Sequence, residues 1–70
     1  MTRQQIEALQ REYPMGTCVE LDEMLDDQAP PAGTLGTVDH VDDAGDIHVN
    51  WDNGSTLALL PGLDHFHKVL

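Results

Sequence analysis

The segment Gly33–Gly62, GTLGTVDHVDDAGDIHVNWDNGSTLALLPG, constrains the fold more than any other part of this chain. Short runs of apolar and β-branched residues are interrupted by Asp42-Asp43-Ala44-Gly45 and by Asp52-Asn53-Gly54. Such runs, bounded by Gly, Asn and Asp, read as strands joined by tight turns. The pattern predicts strands at Thr34–Val41, Asp46–Trp51 and Leu57–Leu60, the centre of a small five-stranded barrel. The second turn also sets a register. A two-residue Asn53-Gly54 loop would pair Trp51 with Thr56 and split the apolar residues between both faces. A three-residue loop with Gly54 left-handed pairs Trp51 with Ser55, Val49 with Leu57 and Ile47 with Leu59, which keeps them on one face. The three-residue loop is therefore expected.

The flanks complete the barrel. Thr17–Asp22 alternates, with Val19 and Leu21 inward and Cys18 and Glu20 outward, and is expected to be the first strand. Glu23–Gly33 mixes acids with Met24, Leu25, Pro30 and Pro31 and has no period, so it is a long loop with room for one helical turn at Glu23–Asp27. Pro61–Asp64 is a turn of 3₁₀ type, and Phe66–Val69 closes the barrel with Phe66 inward. Ahead of it, Thr2 and Gln5 match a helix capping box, and Ile6, Leu9 and Tyr13 form one apolar stripe. Pro14 and Gly16 end that helix. The expected organisation is one domain, a helix at 1–13 and a barrel at 16–70. Five short strands, a long first loop and a turn before the last strand describe an SH3-like barrel: mainly β, with a short N-terminal α-helix. Its expected core is Val19, Leu21, Leu35, Val38, Val41, Ile47, Val49, Trp51, Leu57, Leu59 and Phe66.

Charge limits the function. The 70 residues hold 13 acids against 3 Lys and Arg. All the acids but Glu7 lie between Glu12 and Asp64, a stretch without a single Lys or Arg; the basic residues are Arg3, Arg11 and Lys68. Affinity for a phosphate backbone depends on cationic side chains displacing counterions, so direct nucleic-acid binding is not expected. The same field repels anionic membranes and attracts a protein with a basic surface. It also keeps a small domain soluble, which explains acids without any site. No apolar run approaches the ~20 residues of a membrane span, and the N-terminus lacks a signal-peptide core. A cytoplasmic protein is expected. One cysteine precludes an internal disulfide. A chain this short buries only about 60% of its unfolded surface, so modest stability or a homo-oligomer is expected.

No catalytic constellation is present. Cys18 lacks a neighbouring base or an electropositive setting, and Thr17 and Ser55 have no Ser-His-Asp context. Neither an enzyme nor a cofactor is expected. His65 and His67, spaced i, i+2 beside Asp64, are the metal candidates, with His40 and His48 on paired strands. Zinc sites use such groups, normally four together, and exposed histidines need no metal to explain them. Asp39, Asp42, Asp43 and Asp46 bracket the first hairpin turn, and Asp22, Glu23, Asp26 and Asp27 form a second acidic cluster. Neither has the ordered oxygen spacing of a calcium loop. Both are candidate partner-binding groups, or simply solvated turn acids. Trp51 belongs either to the core or to a peptide groove at the barrel rim.

The order YPxGTxVEL at Tyr13–Leu21, followed by APPxGTxGTVxxVDDxGxIHVxWDNGSxLALxPGxDxF at Ala29–Phe66, resembles a small bacterial family of domains of unknown function. That family is similar to SH3-like barrels and occurs in gut-bacterial genomes, phages and integrative or conjugative elements. It has no assigned activity, so the resemblance implies no catalytic residue. Its pattern commonly has a basic residue where Cys18 stands here. The six residues Gly33–Val38, GTLGTV, also resemble the glycine-bearing strand of the KOW motif. Many KOW modules bind RNA through basic loops, and this chain has none. Together these readings lead to a non-enzymatic accessory module that binds a basic protein surface. The alternative is an acidic nucleic-acid mimic that inhibits a DNA- or RNA-binding enzyme, as in mobile-element counter-defence.

Overall fold

A computed structural model describes residues 1–69. Its elements are α1 (Arg3–Glu12), β1 (Cys18–Glu23), β2 (Leu35–Val41), β3 (Ile47–Trp51) and β4 (His65–Lys68). The four strands form one antiparallel sheet in the order β3-β2-β1-β4. Helix α1 begins as expected. The Gln5 amide donates to Thr2 Oγ1 at 3.1 Å and the Thr2 amide donates to Gln5 Oε1 at 2.8 Å, which closes the capping box. Leu9 and Tyr13 lie against the core, and Gln10 Nε2 donates to the Val41 carbonyl at 3.2 Å. The helix thus packs in cis, next to the first hairpin. No helix among the described residues is long and apolar enough to cross a membrane.

The first hairpin turn is held by Asp42. Its Oδ1 accepts from the amides of Ala44 and Asp46, and Gly45 donates to the Asp42 carbonyl at 3.0 Å. At the second turn the expected three-residue loop is present. Gly54 has φ +92°, its amide donates to the Trp51 carbonyl, and the Trp51 amide donates to the Ser55 carbonyl at 2.9 Å. Ile47 and Leu59 exchange both backbone hydrogen bonds, so the register Trp51–Ser55 and Ile47–Leu59 holds at its two ends.

The strand expected at Leu57–Leu60 is reduced to that single bridge. Its middle pair, Val49 with Leu57, does not form. The Leu57 amide donates to Ser55 Oγ at 3.3 Å, and its carbonyl accepts from Trp51 Nε1 at 2.9 Å. Both backbone groups of Leu57 are engaged by side chains and are lost to the β3 ladder. The result is a four-stranded open sheet with a bridged fifth segment.

The core is Val19, Leu21, Val38, Val41, Ile47, Val49, Trp51 and Leu59, with Leu9, Tyr13, Met24 and Phe66 packed against it. Two expected members differ. Leu57 is only half-buried for the reason just given. Leu35 is 40% exposed because it stands opposite Glu20 on the outer face. A β-bulge between Val38 and His40 inserts Asp39, so Val38 and Val41 both point inward while Leu35 keeps the outer parity. The inward place beside Leu35 belongs to Gly36, directly opposite Trp51. A Cβ there would lie 2.5 Å from Val49 Cγ1 and 2.7 Å from Trp51 Cε3, so the indole packs flush on bare backbone.

Candidate functional site

The outer side of the sheet and the loop after β1 carry the charged groups. Glu20 on β1 is the direct partner of His67 on β4, and a second bulge between Leu21 and Glu23 makes Asp22 the extra residue of β1. Bulges re-aim side chains, and here the Asp22 carboxylate meets the imidazole. His67 Nδ1 lies 2.9 Å from Asp22 Oδ2 and His67 Nε2 lies 3.7 Å from Glu20 Oε1. Next to them His65 faces Glu23 at 4.0 Å. Two acids from the second cluster and the two metal-candidate histidines thus come together across one ladder. The hydrogen bond that His67 donates to Asp22 holds the imidazole protonated to higher pH than an ordinary histidine; desolvation opposes it, and the charges of Asp22 and Glu20 add to it.

Asp64, adjacent in sequence to this pair, is not part of it. It is 9% exposed, and its Oδ2 accepts from the Leu60 amide at 2.8 Å, closing the turn before β4. Lys68, the one cation on β4, lies 4.9 Å over the Tyr13 ring, which also meets Phe66 edge-on. Burial, and then Glu12, pushes the Tyr13 phenol up.

The first-hairpin acids divide by role. His40 and His48 are cross-strand partners, and their rings stack at 4.3 Å with 6° between planes. Asp39 flanks the stack through His40 Nδ1 at 2.6 Å, and Asp42 flanks it through His48 Nε2 at 2.8 Å. The His48 contact and then the Asp46 amide lower the Asp42 carboxyl below its usual range; desolvation opposes them, and the Ala44 amide adds to the lowering. Asp42 is therefore a turn-holding residue first. Asp43 is exposed and Asp46 half-buried beside it.

The loop after β1 contains no helical turn at Glu23–Asp27. Instead the Gln28 and Ala29 amides turn back onto Asp26. Met24, Leu25, Asp26 and Asp27 line an open depression of about 680 Å³, with Met24 rooted in the core and Leu25 85% exposed. A second groove of about 470 Å³, not legible from residue order, runs between α1 and the turn after Leu60. It is lined by Met1, Gln5, Ala8, Leu9, Glu12 and Pro61. Only a folded helix creates it, because its walls are far apart in the chain.

Trp51 occupies the first of its two possible places. It is 3% exposed, its ring covers Gly36, and its one N–H is held by Leu57, so the aromatic face is not offered to a peptide groove.

These features define a small, mainly β domain with a capped N-terminal helix and an acidic, histidine-studded outer surface. A family model described as Domain of unknown function (DUF4314) matches residues 2–69, and the chain belongs to that family. No curated protein and no solved structure matches it.

Proposed function

We propose that this domain is a non-enzymatic interaction module of SH3-like architecture, an accessory protein that binds the basic surface of another protein. The architectural part is supported by the strand order. Counting the Leu59 segment, the sequence of neighbours is segment-β3-β2-β1-β4, with a long loop after β1 and a tight turn before β4, as in an SH3-like barrel.

One observation carries the functional part. Among the described residues, Arg3 with Glu7 is the one pair of a carboxylate with Lys or Arg, at 3.7 Å. All the other ion-pair partners of the carboxylates are imidazoles. Asp26, Asp27 and Asp43 are exposed, Glu23 and Asp39 face only imidazoles, and the Lys and Arg of a partner would supply the missing cations. The depression at Met24–Asp27 adds apolar surface, Leu25, within the same acidic loop.

The test is to identify what copurifies with the tagged domain from its native cell at low salt and then to measure binding kinetics of the purified pair. Raising ionic strength shrinks the screening length from about 8 Å at 0.15 M to about 3 Å at 1 M. Association should slow steeply and dissociation change little. Glu23→Gln, Asp26→Asn and Asp27→Asn together should reproduce the slowing at low salt. Salt-insensitive binding would remove the electrostatic reading. Micromolar retention of a labelled duplex or single strand would overturn the exclusion of nucleic acid. Competition with nucleic acid for the partner's site, abolished by neutralising Asp39, Asp43 and Asp46, would establish mimicry instead; Asp42 is left intact because it holds the turn.

A further inference from the structure

We propose that Glu20, Asp22 and His67 form a binding site for one divalent transition-metal ion of the zinc type. This inference does not depend on the interaction reading above. One ligand atom from each of the three residues lies within 4.8 Å of the other two. Zinc bonds to imidazole and carboxylate are about 2.0–2.2 Å long, so the three donors must draw in around one ion.

Three features make this more than a chance meeting of surface acids. The donors sit on paired strands: Glu20 and His67 are direct cross-strand partners, and the bulge at Asp22 turns its carboxylate onto the same imidazole. The set is one nitrogen and two carboxylates, which suits zinc and its neighbours in the first transition row, whereas calcium and magnesium take all-oxygen shells. Finally, no Lys or Arg faces the pair of carboxylates, whose one ionic partner is the His67 imidazole itself. Lys68, next to His67 in sequence, lies over the Tyr13 ring instead, and the whole chain carries a net charge of −10. When the metal displaces the imidazole proton, the two carboxylates are left without His67's charge, and a divalent ion balances them. Three protein ligands leave coordination positions open to solvent, the arrangement of an accessible site in place of a closed structural one.

Zinc titration of the untagged, metal-free domain, followed by calorimetry and amide chemical shifts, tests this. One zinc per chain is expected, with shifts centred on Cys18–Glu23 and His65–Lys68. Affinity should fall as pH drops below neutrality, because the proton and the metal compete for one imidazole. His67→Ala should weaken binding by about tenfold or more, as should Asp22→Asn with Glu20→Gln. The paired variant His40→Ala/His48→Ala should leave affinity unchanged. All the substituted side chains are outside the core, and an unchanged amide spectrum of each metal-free variant checks its fold. No binding at millimolar zinc, undiminished binding by His67→Ala, or shifts centred on His40 and His48 would each overturn the proposal.

Discussion

Gly36→Ala tests the packing on which the fold rests, because it adds one methyl where Trp51 and β2 touch. Gly36 has no positive φ, so alanine meets no backbone strain there and the effect is steric. The new Cβ would fall 2.5 Å from Val49 Cγ1 and 2.7 Å from Trp51 Cε3, both inside the approach that real Cβ atoms make. Neither neighbour is free to retreat. Val49 is 2% exposed within the core, and the indole is pinned by its hydrogen bond to Leu57. Overpacking of this kind costs about 1–3 kcal/mol. The lower entropy of the unfolded alanine chain acts the other way, by about 0.4–1 kcal/mol. The steric term wins, leaving a net loss of about 1–2 kcal/mol. For a domain of this size that lowers Tm by roughly 4–16 °C. Trp51 is the only tryptophan, so its fluorescence reports both the melting curve and any solvent entry around the ring. Val49→Ala removes one of the two clashing groups. In the Gly36→Ala background it should cost less than its single effect of about 1–3 kcal/mol, with a coupling of about 0.5 kcal/mol or more. An unchanged or raised Tm for Gly36→Ala, or strict additivity of the pair, would refute the placement of Trp51 over Gly36 and with it the β2–β3 register.

Other expectations follow from single features. Gly54→Val finds open space around its side chain, so its cost is backbone alone: a β-branched residue at φ +92° should destabilise by at least ~1–2 kcal/mol, read by chemical denaturation, and a neutral result would disprove the three-residue loop. Asp64→Ala leaves the Leu60 amide without its acceptor in a partly exposed turn and should cost about 0.5–1.5 kcal/mol, while Asp43→Ala on the exposed hairpin turn should be nearly silent. Stability has two opposed pH dependences. Because the His67 pKa is raised by folding, its contribution is complete below the ordinary histidine pKa and disappears as pH rises through the higher folded value, so Asp22→Asn should flatten the loss between slightly acid and alkaline pH. Because the Asp42 pKa is lowered, its contribution is complete above the ordinary aspartate pKa and disappears as pH falls through the lower folded value; His48→Ala should weaken this acid-limb loss in melts below pH 4.

Much of this protein was determined locally and so was legible in the sequence. The capping box needs only Thr2 and Gln5, three residues apart. The hairpin at Asp52–Gly54 follows from one glycine and the demand that apolar side chains share a face. The alternation of Val19 with Leu21 and of Ile47, Val49 and Trp51 assigns their inward faces directly. The acidic surplus is a property of composition. Tertiary structure decided what depends on atoms distant in the chain. The bulges at Asp39 and Asp22 shift side-chain parity, and no periodicity announces them; one lets Val41 face inward with Val38 while Leu35 stays outward, the other brings Asp22 to His67. Leu57 has strand-like neighbours, yet Trp51 and Ser55 take its backbone groups and the fourth strand shrinks to a bridge. Asp64 and His67 look like members of one cluster in the sequence. The turn before β4 buries Asp64 against the Leu60 amide, while His67 stands on the strand with its imidazole among exposed carboxylates.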